Sequence, residues 1–171
     1  NYSLYKALSE KCKVIDLPSP IDLMKSMKNE TELNGFRRAM VKDGIALTRF
    51  YMWLEKAVPT GMVTEMTIAE KLREFRSKQD QYMGESFGTI AGYAAHGAIV
   101  HYSATPESNS TVEPKGLLLI DSGAQFMHGT TDITRTIALG EITPQMEKDY
   151  TKVLKGHIAL ATAIYPEGTR G

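Results

Sequence analysis

Cysteine is almost missing from this 171-residue chain. Cys12 stands alone, so no internal disulfide can form and a reducing compartment is favoured. An excess of one charge is missing too. Lys plus Arg equals Asp plus Glu at 20 each, which leaves no electrostatic footprint for a nucleic-acid binder and no basic patch for a membrane surface. No apolar run approaches the ~20 residues that a membrane span requires, and no secretory signal pattern opens the sequence. A Gly-rich phosphate loop, a Cys cluster, a Gly-x-Ser-x-Gly elbow and a His-x-x-x-His pair are all absent, so none of the chemistries those motifs carry is indicated.

What remains has a globular composition, 42% hydrophobic and 23% charged, which disfavours disorder and fibrous classes. The length suits one domain, or one plus a fragment. The chain starts at Asn1 and stops after YPEGTRG, and both ends read as cut from something longer. Two glycosylation-type triplets, at Asn29 and Asn109, read as chance in a chain without secretory signals.

Tyr2–Leu8 is predicted as a short helix and Lys13–Asp16 as a short strand, ended by Pro18 and Pro20. A short amphipathic segment spans Ile21–Met27. Residues 1–28 read as the tail of a preceding domain plus a connection. From Asn29 the pattern changes. Asn29 followed by Glu32 is a capping-box signature, and Leu33, Phe36, Met40, Leu47, Phe50 and Leu54 recur near helical period, predicting a long helix to about Lys56. Tyr51, Met52 and Trp53 adjoin its apolar stripe and read as core. Thr67–Glu70 repeats the capping pattern and predicts a second helix ending near Lys78. Strands are predicted at Gly88–Gly92, Ala98–Tyr102, Leu117–Asp121 and Thr131–Leu139, with a polar loop over Thr105–Lys115. Thr143-Pro144 then caps a last helix. Segregated helices and strands imply an α+β fold with an antiparallel sheet.

The stretch LLLIDSGAQFMHGTTDITRTIAL carries two carboxylates, Asp121 and Asp132, although Asp is depleted in strands. With His128-Gly129 as a two-residue turn, Gln125 would oppose Asp132, and parity puts Asp121 and Asp132 on one face of the sheet. An ideal ladder would still leave them four residues apart, ~13 Å at 3.3 Å per residue. Paired metal ions lie only ~3.5–4 Å apart, so a shared site requires a bend or bulge, expected at Ser122-Gly123. Two such carboxylates repel unless a cation holds them. Oxygen donors suit Mn, Mg or Ca, and Zn or Co once imidazole joins. Alternatively, Asp121 ends a strand at a turn and Asp132 pairs with Arg135. Spacing alone leaves both readings open.

His101, at the end of the Ala98–Tyr102 segment, is placed to hydrogen-bond a substrate or an oxyanion, or to serve structure only. His96, His128 and His157 read as structural.

The run IDSGAQFMHGTTDITRT resembles the paired-aspartate segment of Xaa-Pro aminopeptidases (aminopeptidase P), which are pita-bread metallopeptidases. GAIVHYSATPESN resembles the segment that precedes it, KNETELNGFRRAMVKDGIAL the opening helix of the catalytic domain, and VLKGHIALATAIYPEGTRG the helix that follows. The match spans residues 29–171 in order and resembles most the long, three-domain, cytosolic type.

The resemblance implies the first half of a pita-bread (creatinase/aminopeptidase) domain over 29–171, an antiparallel sheet with helices packed on one face. It implies two divalent metal ions, manganese foremost with zinc or cobalt as alternatives. Asp121 and Asp132 match the family's two Asp ligands, and His101 its catalytic, substrate-binding histidine. Thr134 and Arg135 are weaker matches to residues that support the ligands. The family's remaining ligands, one His and two Glu, lie beyond this chain, which is therefore expected to be inactive alone. Also implied are peptide substrates with proline in second position, a cytoplasmic setting and a homodimeric full-length protein, with no nucleic-acid or membrane partner. A prolidase-like dipeptidase and a non-catalytic binding module of the same fold are the alternatives.

Overall fold

The computed structural model describes residues 2–15 and 17–170, and the chain divides into two compact units, Asn1–Asn34 and Gly35–Gly171. The first unit contains α1 (Tyr2–Ser9) and α2 (Pro20–Ser26), neither with a buried residue. Ser19 caps α2 by accepting a hydrogen bond from the Ile21 amide at 3.3 Å, and Pro20 occupies the first helical position, where its missing N–H costs nothing. Lys13–Ile15 is irregular rather than the expected strand, since a β-prone stretch becomes a strand only where a neighbour offers its ladder; Asp16 lies outside the described residues.

Helix α3 (Glu30–Ala57) starts where the capping box predicts. Asn29 Oδ1 accepts from the Glu32 amide and Glu32 Oε2 from the Asn29 amide, both at 2.9 Å, so two otherwise unpaired donors are satisfied reciprocally. Its buried side is Gly35, Ala39, Asp43, Ala46, Leu47, Phe50 and Leu54, the three- and four-residue spacing of one helical face. Met52 is exposed and does not join the core, whereas Tyr51 and Trp53 pack against it. After a 3-10 turn (Val58–Thr60), α4 (Glu65–Ser77) begins earlier than expected. Its cap is Thr64, not Thr67. Thr64 Oγ1 accepts from the Thr67 amide at 3.2 Å and Thr67 Oγ1 from the Thr64 amide at 2.8 Å, so Thr67 is the inner half of a Thr-x-x-Thr box.

Among the described residues the strands form two three-stranded antiparallel sheets. One is ordered β2-β3-β6 (Ile90–Tyr93, Leu117–Ser122, Ile133–Ala138) and the other β1-β4-β5 (Tyr82–Glu85, Ala124–Phe126, Gly129–Thr130). Strand β1 carries no alternation that announces it. The expected strand at Ala98–Tyr102 is instead a 3-10 turn over Ala94–Ala98 followed by the Ile99–Tyr102 turn, with Ile99 and Val100 exposed. Alternate burial along β3 sends Leu118 and Ile120 into a core with Phe50, Leu54, Ile68 and Leu72 from α3 and α4. Both helices thus cover one sheet face. Thr143 caps α5 (Pro144–Thr162), which buries none of its residues and stands off the opposite face. A cleft of ≈790 Å3 separates α5 from Leu117, Leu119, Thr134 and Thr136. Among the described residues no helix is long and apolar enough to cross a membrane.

Candidate metal centre

The two aspartates sit on one long ribbon that changes sheets between them. Strands β3 and β6 pair with Asp121 opposite Thr134 and Ser122 opposite Ile133. Beyond the break, β4 and β5 pair with Gln125 opposite Thr130 and Phe126 opposite Gly129. The turn is therefore Met127-His128, and the register differs by two residues from that expected with His128-Gly129. Parity survives, because a two-residue shift returns each side chain to its face. Separation does not: Asp132 lies two positions, not four, beyond the residue facing Asp121, ~7 Å along the strand at 3.3 Å per residue.

Gly129 explains the misplaced turn. It does not adopt positive φ, and it is small because the hairpin tip lies against α3. A Cβ there would lie 3.2 Å from Gly35 O, Ala39 Cβ and Phe36 Cα. At Gly123 the ladder is interrupted, where the expected distortion was assigned. A Cβ at Gly123 would overlap Ser86 Oγ and Thr131 O, while the Gly123 carbonyl accepts from the Ser86 amide at 3.1 Å. Asp132 lies outside both flanking strands and is exposed.

The chemistry of Asp121 fits a cation. It is half-buried on the sheet face turned away from the α3–α4 core, and its Oδ1 is buried without a hydrogen-bond partner. A buried carboxylate oxygen left so is costly unless something positive meets it. Among the described residues no ion pair joins Asp132 to Arg135. Arg135 Nη1 instead donates to Thr134 O at 2.7 Å, and both Thr134 and Arg135 are exposed beside the α5 cleft. The described residues bring no group of three or more His, Cys, Asp or Glu together at metal-binding distance.

His101 is exposed in the Ile99–Tyr102 turn, not at a strand end, with φ of +56°. That left-handed conformation is uncommon outside glycine and is found at sites where the surroundings impose it. The surroundings here are an anchor that the sequence did not announce, the buried Glu65 at the start of α4. Glu65 Oε1 accepts from the Tyr93 amide at 2.8 Å, and Oε2 accepts from Tyr102 Oη at 2.9 Å and the Ser110 amide at 3.0 Å. His96 Nδ1 lies 2.9 Å from Oε1, and its ring stacks on Tyr102 with centroids 4.5 Å apart. One carboxylate thus ties down the chain on both sides of His101. Burial raises the Tyr102 phenol above its usual range; the Ser108 hydrogen bond opposes this and Glu65 adds to it.

A second buried network lies behind the ribbon. Arg76 and Asp43 are fully buried, joined by Nε–Oδ1 at 2.7 Å and Nη2–Oδ2 at 3.0 Å, and Thr131 Oγ1 donates to Asp43 Oδ2 at 2.5 Å. Neither network was among the residues singled out from sequence. Asp43 and Glu65 look like ordinary polar positions of amphipathic helices, and their partners are distant along the chain.

Residues 34–171 match the model of metallopeptidase family M24. Aminopeptidase P2 of Arabidopsis thaliana is 48% identical over 158 residues, covering 92% of this chain and 22% of that protein. A probable Xaa-Pro aminopeptidase P of Sclerotinia sclerotiorum is 45% identical over 173 residues, covering 100% of this chain and 29% of that protein. The chain therefore spans between a fifth and a third of the length of these relatives. Among solved structures, an X-prolyl aminopeptidase from Caenorhabditis elegans, described as a cytosolic enzyme with a di-nuclear active site, superimposes with a TM-score of 0.83 at 38% identity, over 90% of this chain and 25% of that one. A Xaa-Pro dipeptidase from Bacillus anthracis, at 24% identity and a TM-score of 0.76 over 96% of this chain and 44% of that one, shares the fold. The expected α+β pita-bread architecture is thus present. With a helix-backed antiparallel sheet, a cation-suited carboxylate at its break and a family model matched over most of its length, the chain belongs to metallopeptidase family M24.

Proposed function

We propose that this chain supplies the first half of the catalytic domain of an Xaa-Pro aminopeptidase, which removes the residue preceding a proline in second position of a peptide. Residues 1–28 are then the end of a preceding domain and residues 29–171 the catalytic half. The observation that carries the reading is the buried, unpartnered Oδ1 of Asp121 on the ribbon face it shares with Asp132. Asp121 and Asp132 would hold two divalent ions, manganese foremost and zinc or cobalt as alternatives, together with a His and two Glu from a later part of the protein. When bound, such ions polarise the scissile carbonyl and lower the pKa of an attacking water.

The remaining work falls to this chain's own side chains. His101, exposed on its anchored turn, binds the substrate and donates a hydrogen bond to the developing oxyanion. Thr134, which faces Asp121 across β3 and β6, and its neighbour Arg135 would support the ligands. The named aminopeptidase relatives favour peptide substrates, and the cytosolic relative favours a cytoplasmic enzyme; a homodimer is the expected assembly.

The test is release of the first residue from Xaa-Pro-Xaa peptides by the full-length protein, with matched Xaa-Ala-Xaa peptides as controls. Activity that requires added Mn2+ and disappears in Asp121→Asn and Asp132→Asn is the expected result. Metal-independent cleavage, or activity retained in both variants, overturns the reading. Residues 1–171 alone should be inactive, and Mn2+-dependent release by them would refute the shared ligand set.

A further inference from the structure

We propose that Thr131 is a positioning residue that fixes Asp132 relative to Asp121, with Asp43 and Arg76 as its anchor. This rests on the metal reading above. Thr131 immediately precedes Asp132 and is only 2% exposed, and each of its polar groups is engaged. Its amide donates to Ala124 O at 2.9 Å and its carbonyl accepts from Ser86 Oγ at 2.9 Å. Its hydroxyl accepts from the Ala124 amide at 2.9 Å and donates to Asp43 Oδ2 at 2.5 Å. The segment carrying Asp132 is thereby pinned to Ala124 of β4, one residue past the break at Gly123.

The anchor behind Thr131 is rigid. Asp43 projects from the buried side of α3, and Arg76 of α4 grips its carboxylate with two nitrogens. Fork-to-carboxylate pairing fixes direction as well as distance. Asp43 Oδ2 then holds Thr131 as well, so the helical core sets where the ribbon's second carboxylate emerges. Asp132 itself is exposed. Two carboxylates preset at one spacing bind a pair of ions without first ordering the strands that carry them.

The experiment is calorimetric titration of Mn2+ into the metal-stripped full-length protein, comparing wild type with Thr131→Val, Thr131→Ser and Leu72→Ala. Leu72 is buried in the core beneath β3 and serves as a destabilised control that leaves the hydrogen bonds of Thr131 in place. Thr131→Val should lose 10- to 100-fold in Mn2+ affinity, the scale on which loss of a residue that orients a ligand acts, while Thr131→Ser stays within about threefold. Leu72→Ala should lower Tm and leave affinity unchanged. If Thr131→Val does not fold, Asp43→Asn carries the same test, because its amide nitrogen must face either Arg76 Nε or the Arg76 Nη2 and Thr131 hydroxyl donors that the two carboxylate oxygens accept from. Wild-type affinity in a folded Thr131→Val or Asp43→Asn overturns the assignment, as does an equal loss in Leu72→Ala. Failure of the wild type to bind Mn2+ is a separate result, which removes the metal reading and the inference with it.

Discussion

Tyr102 donates its hydroxyl to Glu65 Oε2 at 2.9 Å, which joins the residue after His101 to the first residue of α4. The same carboxylate holds Tyr93 and Ser110 through their amides. A glutamine cannot replace it. The amide nitrogen would face donors, leaving one backbone N–H, of Tyr93 or of Ser110, unpaired in a buried place. Glu65→Gln should therefore cost about 3 kcal/mol, the scale of a lost charge-assisted hydrogen bond plus an unsatisfied donor. Faster amide exchange at Tyr93 and Ser110 than in α3 is the expected signature. Unchanged exchange at both amides would show that Glu65 is not the anchor.

His128 predicts a pH dependence of stability. Both ring nitrogens are buried without a hydrogen-bond partner, and its pKa is lowered, chiefly by burial and further by the nearby Lys42 and Arg38 charges. The folded state thus favours the neutral ring, and the unfolded chain takes up a proton first. Its contribution is present above the unfolded value of about 6.5 and is lost as pH falls below that toward the folded pKa. Denaturant midpoints measured between pH 8 and pH 5 should fall in the wild type and fall less in His128→Phe. Parallel slopes would remove the effect.

Gly35 and Gly129 set the distance between α3 and the hairpin tip. A Cβ on Gly35 would overlap the His128 carbonyl oxygen, and one on Gly129 would crowd Gly35 and Ala39. Both obstacles are backbone or helix-borne, so neither can swing aside. Gly35→Ala should lose about 1–3 kcal/mol by overpacking despite alanine's better helix propensity. Gly44, on the same helix with nothing within 4 Å of a built Cβ, should instead gain about 0.5–1 kcal/mol when changed to alanine. Urea titration of the two variants separates packing from propensity.

These glycines also show where sequence reasoning stops. Helix starts at Asn29 and Thr143 were legible, because a cap and its partner lie within one turn of each other. The shared face of Asp121 and Asp132 was legible too, since parity is local. The register was not. Gly129 resembles a turn glycine, but its smallness serves a contact with α3, nearly a hundred residues earlier in the chain. Likewise Ile99 and Val100 have strand propensity but no ladder to join. Glu65 and Asp43 could not be recognised as anchors, because their donors come from other elements: Tyr93, Tyr102 and Ser110 for one, Arg76 and Thr131 for the other. Half of the two aspartates' neighbourhood is visible in their own ribbon, and the half that holds it still is not.

The Asp43–Arg76 pair supplies the last prediction. Both side chains are fully buried, and Arg76 Nη1 is buried without a partner, so the pair carries a desolvation cost its two hydrogen bonds only partly offset. Removing one partner is the worse case. Arg76→Ala leaves the Asp43 carboxylate buried without its counter-charge and opens a cavity, and should cost about 3–5 kcal/mol. Asp43→Leu with Arg76→Met removes the charges together and should cost far less than the sum of the single changes, a coupling readable in a double-mutant cycle. Near-additive losses in that cycle would mean the two residues stabilise the fold independently, in spite of their contact. If the double variant is stable, the pair is retained for something other than stability, consistent with its hold on Thr131.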